Sequence, residues 1–374
     1  MRPITYLRAT DTATAVAAVS SDPTSDFLAG GTTEVDLLRQ NVLNPRRLVD
    51  INELPLTGIE GTPEGGLRIG SLARMSEVAA APVVRERFPL IAQALELGAS
   101  AQLRNMASMG GNLLQRVRCS YFRDAHSACN KRDPGSGCSA IDGFSRGHAV
   151  LGTSEHCIAT HPSDVAVALM ALDTRVHTMG PSGERAYDIN DFFLLPGDSP
   201  HREHPLEHGE LITQIEVPPT PLARRSLYLK VRDRESYEFA LVSVAAAMSV
   251  ADGRVVDVRM ALGGVATKPW RAERAEDFLI GATIMRDNFA MAARVEMAAA
   301  RPTRMNAFKV ELAQRAIVRA LDMLGNGTGS GAGTESGTES GTESGTESGT
   351  ESGTESGTES GTGSASGSES GSPS

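Results

Sequence analysis

FLAGGTTE at residues 27–34 and NMASMGGN at residues 105–112 are the two stretches on which the reading of this chain turns. In the first, a short apolar run ends at Gly30 and Gly31, two hydroxyl residues follow, and Glu34 opens a helical pattern. Glycines let a backbone approach an anion closely, and a following helix start points free N–H groups at it. The stretch is neither G-x-G-x-x-G nor a Walker A loop, because no Gly-Lys-Ser/Thr follows. Taken alone, Gly-Gly before a helix is more often a tight turn. The second stretch repeats the chemistry: a hydroxyl, two glycines and an amide. Two such loops suggest a ligand with two phosphates, held from both sides. Neither loop contains Lys or Arg, which favours backbone N–H recognition of a pyrophosphate.

Outward from these loops the pattern is mixed. Ala13–Val19 and Glu34–Gln40 read as helices, and Asp26–Ala29 and Arg47–Asp50 as strands, so residues 1–55 form strand-and-helix units. Gly66–Leu72 reads as a strand, Ile91–Leu97 as part of a helix, and Ser163–Leu172 as a buried helix. Glu210–Val217 alternates like a half-buried strand, and Pro218, Pro219 and Pro221 then mark a domain boundary. Tyr228–Val231, Leu241–Ala251 and Arg254–Leu262 are predicted strands, followed by a long helical region from about Asp287 to Leu324. In its last part Leu312, Ala316, Ala320 and Leu324 recur on one face.

Charge and composition exclude several functions. The last 50 of the 374 residues are almost only Gly, Ser, Thr and Glu, with GTES repeated seven times. Such a tract buries too little apolar surface to offset its ordering entropy, so disorder is expected. Removing its eight Glu from a formal charge of −10 leaves −2, which is no electrostatic footprint for nucleic acid. No apolar run approaches the ~20 residues that span a bilayer, so no membrane insertion is expected. The N-terminus lacks the apolar core of a secretory signal, which predicts a cytoplasmic protein.

All four cysteines, Cys119, Cys129, Cys138 and Cys157, fall within 39 residues. Without a signal a reducing compartment is expected, where structural disulfides are rare. Four thiolates suit either a structural zinc or an iron–sulfur cluster. The spacings C-x9-C, C-x8-C and C-x18-C match neither the short pairs of zinc sites nor the ferredoxin patterns, so spacing decides nothing and free thiols stay open. Arg116, Arg118, Arg123, Lys131 and Arg132 face one acid, Asp124, in this stretch, which suits a negatively charged cluster or a solvated basic loop. His126, His148, His156 and His161 read as surface residues or as neighbours of the ligands.

LAGGTTEVDLL and RNMASMGGNLLQ resemble the two FAD-binding loops of the flavoprotein subunits of molybdenum hydroxylases, the xanthine dehydrogenase and carbon monoxide dehydrogenase medium-subunit family. The likeness continues through THPSDVAVAL, ELITQIEVP and YLKVRDRESYEFALVSVA, and so covers residues 1–324. The stretch from RCSYFRDAHSACNKRDPGSGC to EHCIATHPSD is similar to FAD subunits of periplasmic aldehyde oxidoreductases, and more distantly to that of 4-hydroxybenzoyl-CoA reductase. In those relatives four cysteines hold a [4Fe-4S] cluster.

The resemblance implies an α+β fold. A two-part FAD-binding domain of the vanillyl-alcohol-oxidase type would span residues 1–222, with subdomains at about 1–55 and 56–222 and a cysteine insert at 116–160. An α/β C-terminal domain of the CO dehydrogenase flavoprotein type would span 223–324, followed by the tail at 325–374. Ala29, Gly30, Gly31, Thr32 and Thr33 would wrap the FAD pyrophosphate, with Glu34 behind them. Ser108, Met109, Gly110, Gly111 and Asn112 would run along the cofactor. Asp164 would contact the FAD, and Ile212 and Lys230 would meet the flavin end, although by themselves Asp164 reads as a helix cap and Lys230 as a solvated strand residue. Cys119, Cys129, Cys138 and Cys157 would ligate the cluster. No catalytic residue is implied. Substrate, an aldehyde, would be oxidised on a large molybdenum-cofactor subunit, with electrons passing through a small [2Fe-2S] subunit to FAD and on to an acceptor such as ferredoxin. Export of a folded complex on a partner's signal is the alternative to a cytoplasmic location.

Overall fold

The computed structural model describes residues 3–326; the predicted disorder of the GTES repeat lies outside them. Three strands near the N-terminus, β1 (Thr5–Arg8), β2 (Ser25–Leu28) and β3 (Arg47–Asp50), form a parallel sheet in the order β1-β3-β2. Parallel neighbours need a crossover. The helix Thr12–Ser20 supplies one, started by Asp11, whose carboxylate accepts from Thr14 N at 2.8 Å. Glu34–Arg39 supplies the other, with Glu34 and Asp36 in the first turn and Arg39 in the last, the placement the helix dipole favours.

A second sheet is antiparallel, with β4 (Ile59–Gly61), β5 (Leu67–Gly70), β6 (Arg175–Gly180), β7 (Gly183–Asp188) and β8 (Leu211–Val217) in the order β4-β5-β8-β6-β7. Leu72, after β5, and Leu211, opening β8, pack with Val16, Val19 and Val49 and so join this sheet to the first. The hairpin β6–β7 escaped the sequence reading, because β7 (GERAYD) is polar and half exposed. The third sheet orders β9 (Ser226–Val231), β10 (Val242–Ala251), β11 (Arg254–Gly263) and β12 (Trp270–Arg271) as β12-β11-β10-β9. Val242, Val244, Ala246 and Met248 of β10 face the C-terminal helices, while Ala245 and Ala261 face the core around the helix Asp164–Ala171. Covered on both faces, β10 is buried for seven consecutive residues. After Asp164 the helix between the sheets is buried on every side.

The long helical region expected from Asp287 is two helices, Arg286–Met297 and Phe308–Gly325. Pro302 cannot extend a helix. The fully buried Asn306 fixes the break by accepting from Thr303 N at 2.7 Å and donating to Ala149 O at 3.1 Å. The second helix also runs to Gly325, into the first residue assigned to the tail.

Candidate functional site

The end of β2, the 105–112 loop, the start of helix Asp164–Ala171, the start of β8 and the end of β9 surround one cavity of about 800 Å³. This lies in the upper part of the ~300–1,000 Å³ range of small-molecule and cofactor sites. Ala29, Gly30, Gly31, Thr32, Thr33, Glu34, Ser108, Gly110, Gly111, Asn112, Asp164, Ile212 and Lys230 all line it. Met109 does not: its side chain is fully buried in the core beneath the loop.

The two glycine loops differ in what they leave free. In the first, Gly31 takes a φ of 69°, a conformation glycine adopts without strain. Gly30 and Thr32 make no hydrogen bond among the described residues, so their N–H groups remain available. Glu34 Oε1 is likewise buried without a partner. Burial, reinforced by the nearby Asp26, pushes the Glu34 carboxyl up to about 7 against the pull of Arg116. In the second loop Met109 N donates to Ala73 O at 3.0 Å, Gly110 N to Ser71 O at 2.7 Å and Asn112 N to Ser108 O at 2.9 Å. Gly111 N donates to Ser108 Oγ at 3.2 Å. Backbone recognition from both sides, expected from composition, is therefore open to the first loop, while these four donors of the second are committed inside the protein.

Where helix Asp164–Ala171 meets the cavity, Ser163, not Asp164, caps the helix, accepting from Ala166 N at 3.0 Å. Asp164 is freed for a buried junction. Its carboxylate accepts from Lys230 Nζ at 2.8 Å and from the Tyr228 hydroxyl at 2.7 Å. Lys230 also donates to Leu97 O at 3.0 Å, and its side chain is 1% exposed, which overturns the solvated reading. Burial pushes the Asp164 carboxyl up, and Lys230 opposes that. The junction ties β9 to the helix and leaves both side chains on the cavity wall.

Arg116 and Arg118 also line the cavity, although neither lies within a glycine loop. Arg116 pairs with Glu203, and Arg118 sits over the Phe239 ring at 5.0 Å. Burial, with Arg123 nearby, pulls the Arg118 guanidinium down to about 10. Only the fold brings these residues to the site; their single sequence signal was membership of the basic stretch. Free N–H donors, a left-handed glycine and two guanidinium groups suit an anionic dinucleotide such as FAD.

The four cysteines line a second, much smaller cavity, together with Phe122, Asn130 and Lys131. Cys129 and Cys138 are paired across an antiparallel bridge, closed by Asn130 N to Gly137 O at 2.7 Å and Gly137 N to Asn130 Oδ1 at 2.8 Å. All four thiols are free, and burial pushes that of Cys119 up to about 11 and that of Cys157 upward. Among the described residues no group of three or more His, Cys, Asp or Glu converges as around a single metal ion. Two acids distant in sequence offset only part of the basic stretch: Asp36 pairs with Arg118 and Arg123, and Glu203 with Arg116 and Lys131, so the stretch keeps net positive charge. Arg132 instead braces the loop, donating to Tyr121 O at 2.7 Å and Phe122 O at 2.8 Å. His148 is buried, with Nε2 3.2 Å from Cys119 Sγ, and burial holds it near 4, hence neutral at pH 7. His126 is at the surface. Four thiols around one small cavity, beside a cation and a neutral imidazole, are a donor set that suits an iron–sulfur cluster. No helix among the described residues is long and apolar enough to cross a membrane.

Residues 2–220 match the FAD binding domain in molybdopterin dehydrogenase, and residues 227–324 match the CO dehydrogenase flavoprotein C-terminal domain. The chain is 48% identical over 323 residues to the aldehyde oxidoreductase FAD-binding subunit PaoB of Escherichia coli (strain K12), covering 86% of this chain and 98% of that one. It is 29% identical over 276 residues to the glyceraldehyde dehydrogenase medium chain of Sulfolobus acidocaldarius, covering 74% and 80%. The solved quinoline 2-oxidoreductase from Pseudomonas putida 86 shares the fold, with a TM-score of 0.68 at 22% identity over 87% of this chain and 98% of that one. The chain belongs to the FAD-binding medium subunits of the molybdenum hydroxylase family and is a component of an oxidoreductase.

Proposed function

We propose that this chain is the FAD- and [4Fe-4S]-binding electron-transfer subunit of a molybdenum-dependent aldehyde oxidoreductase. Its partners in this reading are a large molybdenum-cofactor subunit and a small [2Fe-2S] subunit, and its outlet is an external acceptor, ferredoxin among the candidates. The observation that carries it is that all four cysteines line one small cavity, next to the larger one. Arg116 joins the two: it lines the cofactor cavity while its guanidinium lies 4.9 Å over Phe122, which lines the cysteine cavity. The aldehyde assignment rests on the likeness to the aldehyde oxidoreductase subunit.

FAD, when bound, exchanges electrons singly or in pairs and so connects single-electron centres to two-electron partners. The residues of this chain bind and orient it. Gly30 and Thr32 offer N–H donors to the pyrophosphate, Arg116 and Arg118 add positive charge, and Ile212 packs an apolar wall. The Asp164–Lys230 junction holds the flavin end in place. Cys119, Cys129, Cys138 and Cys157 would hold the cluster, with Lys131 and His148 stabilising its thiolates.

The test is the visible spectrum of the purified complex before and after dithionite, with iron, acid-labile sulfide and zinc assayed on this subunit. Flavin with about four irons and four sulfides per chain, the count of one [4Fe-4S] cluster, is the expected result. Zinc without sulfide would turn the insert into a structural staple, and absence of flavin would sink the reading. Cys129→Ser should remove the cluster and slow turnover with one-electron acceptors; unchanged turnover with every acceptor would remove the cluster from the route.

A further inference from the structure

The cofactor loops are pressed together. A Cβ on Gly30 would lie 1.9 Å from the carbonyl oxygen of Met106, within the second loop. Nothing in either loop explains how that approach is held. Two residues behind the site, outside the cavity lining, do. Asn52 Nδ2 donates to Ala29 O at 3.0 Å, and Asn52 Oδ1 accepts from Arg74 Nη2 at 2.8 Å. Arg74 Nη1 in turn donates to Met106 O at 2.6 Å. Asp50 fixes the near end, with Oδ1 accepting from Asn52 Nδ2 at 2.6 Å. A continuous chain therefore runs from Asp50 through Asn52 and Arg74 to Met106, touching the backbone of both loops.

We infer that Asn52 and Arg74 form a clamp that shapes the first loop for the cofactor pyrophosphate, which makes them positioning residues for FAD binding. A peptide unit is planar and trans, so engaging the Ala29 carbonyl from behind turns the Gly30 N–H to the opposite side. That N–H meets no acceptor among the described residues. The Met106 carbonyl oxygen would repel an anion next to Gly30. Arg74 draws on that oxygen and places a positive charge behind it. Its planar fork reaches Asn52 and Met106 with separate nitrogens, a geometry lysine lacks.

The inference rests on the reading that the first loop takes the FAD pyrophosphate. It is tested by stripping flavin from the whole complex and titrating FAD back by flavin fluorescence, for wild type, Asn52→Ala, Arg74→Lys and the double variant. Each single change should weaken FAD binding by roughly 10- to 100-fold, the span of a lost charge-assisted hydrogen bond. The double variant should bind no worse than the weaker single, because each change opens the same clamp. Melting of the flavin-free complex separates this from a general loss of packing and should move little. Wild-type affinity in the singles, or losses that add in full, would overturn the clamp. Arg74→Lys keeps its charge and remains decisive where Asn52→Ala fails to fold. A wild-type complex that takes up no FAD would overturn the cofactor reading and the clamp together.

Discussion

The two glycine loops carry nearly the same residues and use them in opposite ways. In the 27–34 loop polar groups are left uncommitted beside the cavity: among the described residues Gly30 and Thr32 keep their N–H groups unengaged and Glu34 Oε1 has no partner. In the 105–112 loop the same residue types serve the protein. Ser108 caps its own short helix, and Gly110 lets the backbone press against Ser71, where an added Cβ would come within 3.0 Å. One loop is a cradle held open, the other the wall that holds it. A Gly-Gly pair beside a hydroxyl therefore marks a close approach without saying what approaches.

Gly30→Ala should break the comparison most severely. Its Cβ would need the space of the Met106 carbonyl oxygen, a backbone atom that cannot rotate away. The loops would have to part, destabilising the protein by about 3 kcal/mol, the upper end of ordinary overpacking, and abolishing FAD uptake. Thermal melting and flavin content of the purified variant check both effects.

Glu34 gives an effect of similar or smaller size that depends on pH. Its carboxyl ionises near 4.5 when unfolded and near 7 when folded. Between those values the folded chain holds a proton that the unfolded chain has released, so stability falls as pH rises from 4.5 to 7. The loss is on the order of 3 kcal/mol for a shift of this size. Glu34→Gln should flatten that slope in flavin-free protein and be the more stable form at pH 8. Denaturant midpoints across pH 4–8 decide it; parallel profiles would mean that Glu34 finds a partner or water.

Much of this was legible in the sequence, and the failures have physical causes. Four of the five elements of residues 1–55, all but β1, together with the strand Glu210–Val217 and the buried helix after Ser163, follow from periodicity and turn chemistry, which are local. The candidate site residues came from motif likeness, since Gly-Gly alone cannot separate cradle from turn, and all but Met109 of those proposed for FAD line one cavity. The pairing of Lys230 with Asp164 was not legible, because a lysine in a strand declares nothing about a carboxylate 66 residues away. For the same reason the basic stretch pointed only to the cysteines or to a solvated loop. Asp36 and Glu203, which pair with it, reach it through the fold and leave Arg116 and Arg118 on the larger cavity. The break at Pro302 was written in the sequence, but the periodicity on either side of it masked the signal.

Smaller effects sharpen the contrast. Gly31→Ala forces a side chain into a φ of 69°, which costs about 1–2 kcal/mol, and brings a Cβ within 3.3 Å of Val35 Cγ2. Because this residue belongs to the open loop, FAD affinity should fall with stability. Ser108→Ala removes a cap instead. Its hydroxyl oxygen accepts from Gly111 N at 3.2 Å, and losing such a cap costs about 1 kcal/mol. The loss should appear in the melting of flavin-free protein, while FAD affinity of the folded fraction stays within about twofold, because the bond it breaks is internal to the wall. A Ser108→Ala variant that melts like wild type but binds FAD tenfold more weakly would show that the second loop also presents its hydroxyl to the ligand, and the division between cradle and wall would fail.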